Sequence, residues 1–354
     1  MAYTNGLDKP SDYFVTKLFT GNGSNGHAIS GLDFQPAWVW LKNRNTGNTH
    51  EAFDSVRGAT KTLYPDRSDA EYVNSTGSLT SFNSDGFTVG SGDGANKSGS
   101  GIASWNWKAG TSFTNDASAT GIGSIDSSGS VNTDAGFSII SWTGDGNNGA
   151  TIAHGLGVTP AIVITKRRSA VGDWLVGGST INTARGGANS LLLLNTTAAM
   201  DSNSEVYQTF SSTTFQVGVN AYANTSGSTM ISYCFAEKQG YSKFGSYTGN
   251  GSTDGTFVYT GFKPAWLLVK STAANDWILQ DTKRSPHNVS NVTLFPNDSS
   301  ADVTNTIYNQ DILSNGFKAR TTHARLNGSG VTYIYMAFAE NPFVTSTGVP
   351  ATAR

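Results

Sequence analysis

Charged residues are scarce in this chain of 354 residues: Asp, Glu, Lys and Arg make up 14%, against about 25% in an ordinary globular domain. Helices at a protein surface need charged outer faces, so this shortage argues against long surface helices. Aromatic residues make up 11% and supply large rings for a hydrophobic core, which excludes a disordered chain. The composition therefore predicts an all-β protein with many turns.

Cysteine and long apolar runs are also lacking. The single Cys234 excludes an intramolecular disulfide and a cysteine-cluster zinc site, and we expect it to be a small buried hydrophobic residue. No apolar run approaches the roughly 20 residues of a membrane span, and the N-terminus lacks the features of a signal peptide. A net charge of −2 offers no basic surface for nucleic acid or lipid headgroups. We expect a protein made in a cytoplasm, with no nucleic-acid partner and no membrane insertion.

Four sequence landmarks recur three times in the same order. They are a Thr-Gly-Asn/Asp-Gly turn, a Pro-Ala segment that runs through apolar residues to a lysine, and two later aromatic positions. The glycines are Gly21, Gly144 and Gly249; the prolines are Pro36, Pro160 and Pro264; the aromatic residues are Phe87, Phe215 and Phe317, then Trp107, Phe235 and Phe338. The gaps agree within a few residues, which predicts a unit of about 100 residues present three times.

Each predicted unit consists of short strands separated by Gly, Asn and Ser turns, a pattern typical of β-sandwiches and jelly rolls. We therefore predict three tandem sandwich or jelly-roll repeats, and hairpin turns at the recurrent glycines. The boundaries fall at residues 1–108, 136–239 and 240–344. Residues 109–135 contain few large apolar side chains and are interpreted as a linker. Residues 345–354 are interpreted as a polar C-terminal tail.

Catalytic and metal-binding patterns are weak. Asp54, Asp173 and Asp281 are candidate acids, but no unit has the distinctive carboxylate pair of a glycosidase, so we predict that the protein is not an enzyme. The oxygen-rich turns at 91–94 and 145–148 partly match calcium loops. They lack the bidentate acid that completes such a site, so we predict no cofactor and give a structural calcium ion a low rank.

Two Asp-Trp pairs recur, Asp173-Trp174 and Asp276-Trp277, and their tryptophans lie 14 and 13 residues after the repeated prolines. A tryptophan near a strand end can stack on a sugar ring while a neighbouring carboxylate binds its hydroxyls. These four residues are the candidate ligand-binding residues. In the alternative, which is the more common role, both tryptophans anchor the core.

Several longer motifs carry a resemblance to a known family. They are DKPSDYF at 8–14, GLDFQPAWVWLK at 31–42, DSVRGATK at 54–61 and AFAENPF at 337–343. With these motifs the chain resembles marine tailed-phage structural proteins that carry a repeated β-rich domain and are described as tail-fibre or lectin-like. The second unit departs most, with Ile162 and Ile164 where the first unit has Trp38 and Trp40.

The resemblance implies a virion protein that assembles with other virion proteins and is made in the host cytoplasm. The first functional hypothesis is a non-enzymatic tail or fibre component that binds host-surface glycans for attachment. A homo-oligomer such as a trimer would add avidity to weak single contacts. The alternatives are a capsid decoration protein or head fibre that stabilises the shell and, ranked third, a polysaccharide-degrading enzyme.

Overall fold

The computed structural model describes Leu7 and residues 9–341, which are almost entirely strands and turns. The prediction of an all-β fold is confirmed. The predicted tail at 345–354 lies outside the described residues. We name four parts of the chain by residue number: the first segment (9–108), the inserted segment (109–135), the second segment (136–239) and the third segment (240–341).

The strands are short throughout. The first segment contains a 3₁₀ turn (Pro10–Asp12), β1 (Phe14–Thr20), β2 (His27–Ser30), β3 (Trp38–Asn43), β4 (Glu51–Asp54), β5 (Lys61–Thr62), β6 (Tyr72–Val73), β7 (Leu79–Asn83), β8 (Gly86–Val89), α1 (Asp93–Asn96) and β9 (Gly101–Trp107). The inserted segment contains β10 (Thr111–Asn115), α2 (Ala117–Thr120) and β11 (Ser127–Asn132).

The other two segments follow a similar order. The second segment contains β12 (Phe137–Thr143), β13 (Ala150–Ala153), β14 (Ile162–Arg167), β15 (Trp174–Gly177), α3 (Ser179–Arg185), β16 (Ser190–Leu193), β17 (Asp201–Ser202), β18 (Tyr207–Phe210), β19 (Thr214–Val217), α4 (Ala221–Asn224) and β20 (Thr229–Phe235). The third segment contains β21 (Ser242–Thr248), β22 (Phe257–Tyr259), β23 (Trp266–Ser271), β24 (Trp277–Asp281), β25 (Val292–Thr293), β26 (Val303–Thr304), β27 (Gln310–Leu313), β28 (Gly316–Ala319) and β29 (Thr332–Phe338).

The antiparallel sheets show one strand order in all three segments. Four strands pair as β1-β9-β3-β4, as β12-β20-β14-β15 within an eight-stranded sheet, and as β21-β29-β23-β24. Three further strands pair as β2-β8-β7, β13-β19-β18 and β22-β28-β27. We call the three-stranded sheets the outer sheets. In each segment, a buried cluster that includes Phe87, Phe215 or Phe317 joins side chains of both kinds of sheet.

The opposite faces of the four-stranded sheets meet in one central core shared by all three segments. Phe338 lies at its middle, with its ring centroid 5.7 Å from that of Trp107 and 5.8 Å from that of Phe235. These are the last of the recurrent aromatic positions in each segment. The segments therefore pack around common apolar contacts, and each buries part of its surface only in the presence of the other two.

Residues 109–135, which were predicted as a linker, contain the two strands β10 and β11. β10 pairs with β11, and β11 pairs with β12 over six residues, from Ser127–Trp142 to Asn132–Phe137. The backbone of these strands extends a sheet that already has a core. Such pairing needs few large apolar side chains, which is why the composition resembled that of a linker.

The recurrent Thr-Gly-Asn/Asp-Gly turns are not hairpin turns, because each connects a four-stranded sheet to an outer sheet. A Cβ on Gly21 would lie 2.2 Å from the carbonyl oxygen of Lys97, so this close approach requires glycine. The buried Asn96 fixes the turn: its Oδ1 accepts from the backbone amide of Asn22, and its Nδ2 donates to the carbonyl oxygen of Ser24. Asn224 and Asn327 make corresponding bonds in the other two segments.

Candidate functional site

The structure places Trp174 and Trp277 in the central core, with 0% and 2% of their surfaces exposed. The indole of Trp174 donates to the carbonyl of Tyr64 in the first segment, at 2.8 Å. That of Trp277 donates to the carbonyl of Leu193 in the second, also at 2.8 Å. Neither ring has a free face, so the predicted stacking on a sugar does not fit their positions. Both lie in the core, the position that the alternative interpretation gave them, and each also joins two neighbouring segments.

The two aspartates that precede these tryptophans order the backbone. Asp173 accepts from Nδ2 of Asn195 at 2.8 Å, while Oδ1 of Asn195 accepts from the amide of Trp174. Asp276 makes the same arrangement with Asn297. The candidate ligand-binding residues are thus brought together in pairs, but in structural contacts rather than in a shared site.

Three buried lysines make the next set of contacts between segments. Lys42, Lys166 and Lys270 end the repeated Pro-Ala segments, and each is fully buried. Each ammonium donates to one or two carbonyl oxygens of its own loop. Each also donates to one carbonyl of a neighbouring segment: Lys42 to Ser299 at 2.8 Å, Lys166 to Ser68 at 3.1 Å, and Lys270 to Thr197 at 3.5 Å. Burial lowers the pKa of all three lysines to about 8. The carbonyl oxygens offset part of the cost of burying these ammonium groups.

Two aspartates considered as candidate acids are held in buried ion pairs. Nε of Arg57 lies 2.5 Å from Oδ2 of Asp54, which also accepts from the hydroxyl of Tyr233 in the second segment, at 2.7 Å. In the third segment, Asp281 makes the same pair with Arg284 and accepts from the indole of Trp105. The second segment has Gly178 and Ile181 at the corresponding positions. The buried ion pair is therefore present in the first and third segments and replaced by apolar residues in the second.

A further buried acid lies between the two sheets of the first segment. Oε2 of Glu51 has no hydrogen-bond partner among the described residues, and a Cβ on Gly94 would lie 2.2 Å from its Oε1. Burial, reinforced by the nearby charge of Asp66, raises the pKa of Glu51 to about 8. Burial also raises the pKa of Asp66 to about 7. Glu51 is thus protonated in the folded protein at neutral pH.

This raised pKa predicts a pH dependence of stability. Between pH 4.5 and 8 the folded state holds a proton on Glu51 that the unfolded state has released, so the free energy of unfolding falls as the pH rises. Glu51→Gln lacks this titrating group. We therefore expect the free energy of unfolding of the variant, relative to that of the wild type, to be at least about 1.4 kcal/mol higher at pH 8 than at pH 5, which is the value of one pKa unit. Urea unfolding at both pH values measures this. An equal stability difference between variant and wild type at the two pH values would contradict the prediction. Glu205→Gln, at an exposed position, is the control.

A cleft of about 630 Å³ opens where the inserted segment extends the sheet of the second segment. Thr114, Ser128 and Ser141 lie side by side across β10, β11 and β12. Their hydroxyl groups have no hydrogen-bond partner among the described residues, so they are available to a ligand. Trp142, which also lines the cleft, follows Ser141 on β12, so its side chain lies on the opposite face of the sheet. The indole is buried and donates to Oγ of Ser232 at 3.1 Å. The cleft therefore has a row of free hydroxyl groups along one face of the sheet.

Three carboxylates also line this cleft, those of Asp116, Asp126 and Asp145. Asp116 caps α2, and hydrogen bonds from Ser118 and Ala119 hold its pKa below the ordinary value. Oδ1 of Asp126 accepts from the amide of Ala117 at 2.8 Å. Each of these two aspartates uses Oδ1 locally, and Oδ2 has no partner among the described residues. The cleft thus presents both hydroxyl groups and carboxylate acceptors.

Sequence reasoning missed this cleft because it lies in the segment taken for a linker. Its one visible signal was the density of Ser, Thr and Asp in residues 111–128. Within Leu7 and residues 9–341, no group of three or more His, Cys, Asp or Glu side chains is placed to hold a metal ion. In the same residues, no helix is long and apolar enough to cross a membrane. The predicted buried position of Cys234 is confirmed.

Comparison with known proteins places the chain in a family. No curated protein matches it, and no solved structure does. One family model covers residues 9–342, which include all three segments and the inserted segment in a single match. The chain therefore belongs to the family described as domain of unknown function DUF7483.

Proposed function

We propose that the protein is a non-enzymatic structural protein of a tailed-phage virion, part of the tail or its fibres, and that it binds host-surface glycans in the cleft. The observation that carries the glycan assignment is the row of free hydroxyl groups of Thr114, Ser128 and Ser141 beside the carboxylates of Asp116 and Asp126. The placement in a virion rests on the resemblance of the sequence motifs to phage structural proteins.

The chemistry of the cleft suits sugars. A sugar ring presents hydroxyl groups that both donate and accept hydrogen bonds, so it needs a wall that offers both kinds of partner. Serine and threonine hydroxyls do so, and the free carboxylate oxygens accept strongly. The row lies on paired strands rather than on a loop, so binding orders little of the protein and costs little conformational entropy.

For the fold, we propose that the three segments are copies of one sandwich unit arranged around the central core. The shared strand order and the corresponding buried lysines Lys42, Lys166 and Lys270 support this proposal. Contacts between every pair of segments suit a particle surface, where a protein must stay folded without chaperones. A cyclic homo-oligomer would multiply weak glycan contacts.

The test replaces the hydroxyl row. In the double variant Ser128→Ala and Ser141→Ala, two hydrogen bonds of about 1 kcal/mol each are lost, so the dissociation constant for a bound polysaccharide should rise roughly 30-fold. Affinity electrophoresis through gels containing hydroxyethylcellulose, xylan, laminarin or alginate measures this. Thr209→Ala, at an exposed position on β18 outside the cleft, is the matched control. Unchanged retardation of the double variant would refute the cleft assignment.

A further inference from the structure

Two aromatic side chains on the outer sheet of the third segment are exposed. Phe257 and Tyr259 on β22 have 44% and 64% of their surfaces exposed, while Val258 between them is buried. Residues two apart on a strand point to the same face, roughly 6.6 Å apart along it. The two rings therefore form an aromatic pair on the outer face of the β22-β28-β27 sheet. Neither belongs to a buried core cluster, although the ring of Phe257 lies beside Gly316 of the paired strand.

The corresponding positions in the other outer sheets are small. The register identifies them, because the middle residue of each strand opposes a buried phenylalanine: Ile29 and Phe87, Ile152 and Phe215, Val258 and Phe317. At the two flanking positions, β2 has Ala28 and Ser30, and β13 has Thr151 and Ala153. The same fold thus forms without aromatic residues at these positions, and only the third segment has them.

Charged side chains continue the same face beside the aromatic pair. Lys318 lies directly opposite Phe257, and its ammonium is 2.6 Å from a carboxylate oxygen of Asp254. Arg320 lies 3.2 Å from Asp254 and 2.9 Å from Asp311. Two cations and two anions balance, so the network has no net charge. It holds donors and acceptors in fixed positions at a partly exposed surface.

We propose that this outer face is a second glycan site, on which the apolar face of a pyranose ring lies against Phe257 and Tyr259. The flat C–H face of a sugar ring packs on aromatic rings, while its hydroxyl groups reach the charged side chains alongside. The neutral network fits an uncharged polysaccharide better than a strongly charged ligand. This inference rests on the proposed glycan-binding function and adds a site remote from the cleft in sequence.

Pairing of the β22 edge with a second copy of the chain is the competing use of this surface. β22 has only three residues and lies between Gly255 and Gly261. Very short edge strands are a common means of preventing edge-to-edge pairing. The exposed rings also point out of the sheet face and not along its edge. The observations therefore favour the face, and a sugar ring as its occupant.

The test uses the double variant Phe257→Ala and Tyr259→Ala of the full chain in the same affinity gels, with Tyr72→Ala as control. Tyr72 is another tyrosine with half its surface exposed, 55%, but it lies on β6 of the first segment. We expect the double variant to raise the dissociation constant of the retarding polysaccharide at least about fivefold. The control should leave it unchanged. Thermal unfolding should be unchanged in both, since the replaced rings are exposed.

The outcomes separate this inference from the proposed function. Retardation lost only in the cleft variant, and kept in the aromatic variant, overturns the second site and retains the first. Retardation of the wild type by none of the four polymers counts against both. A wild-type oligomer that dissociates in the aromatic variant, on size-exclusion chromatography, overturns the sugar as occupant in favour of a second copy. Conversely, the double variant Ala28→Phe and Ser30→Tyr places an aromatic pair on the outer sheet of the first segment. We expect this variant to be retarded more strongly than the wild type.

Discussion

Replacing Arg57 by isoleucine is expected to lower the free energy of unfolding by about 3–5 kcal/mol, the cost of breaking a buried ion pair by removing one partner. Arg57 and Asp54 have fully buried side chains. The guanidinium also donates to the carbonyl oxygens of Ala52 and Lys61. Without it, the carboxylate of Asp54 stays buried with only the hydroxyl of Tyr233 and local amides as partners. Urea unfolding monitored by tryptophan fluorescence measures the loss.

The chain contains its own comparison for this prediction. Where the second segment meets the third, Gly178 and Ile181 stand in place of the ion pair, and Met336 in place of Tyr233. A buried pair replaced as a whole by apolar residues is often tolerated. We therefore expect the double variant Asp54→Ala and Arg57→Ile to be more stable than Arg57→Ile alone. A double variant at least as unstable as the single one would show that uncompensated charge is not the cause.

Trp277→Ala should cost about 3–5 kcal/mol, the range for removing a large aromatic residue from a core. The indole is buried and satisfies the carbonyl of Leu193 across the boundary between two segments. Trp277→Phe keeps most of the buried area and loses that hydrogen bond, so its cost should be smaller. Calorimetry compares the two variants. A stable Trp277→Ala protein that no longer binds polysaccharide would contradict the structural role and restore the predicted sugar contact.

Spacing and local chemistry were sufficient to predict part of this structure. The recurrent phenylalanines and Trp107 fall in cores, because alternation along a strand determines which side chains share a face. What could not be predicted depends on contacts between segments. Nothing local distinguishes a tryptophan at a strand end that meets solvent from one that meets the carbonyl of a neighbouring segment.

The two candidate glycan sites could not be predicted from the sequence, for two physical reasons. Ser128 and Ser141 lie on strands that pair through their backbones, so the row of hydroxyls exists only once the sheet has formed. Phe257 and Tyr259 flank Val258 in a run of three apolar residues. Such a run fits a strand buried on both faces as well as one whose outer face is exposed. Only the three-dimensional comparison of the three outer sheets separates these cases.

Immunogold labelling of purified phage particles with an antibody to residues 9–341 tests whether the protein is part of the virion tail. We expect gold on the tail or its fibres, at the end that meets the host cell. Gold distributed over the head would instead indicate a capsid decoration protein, and the glycan assignment of both sites would lose its biological setting. Particles without gold, from a lysate that contains the protein, would contradict a structural role in the virion.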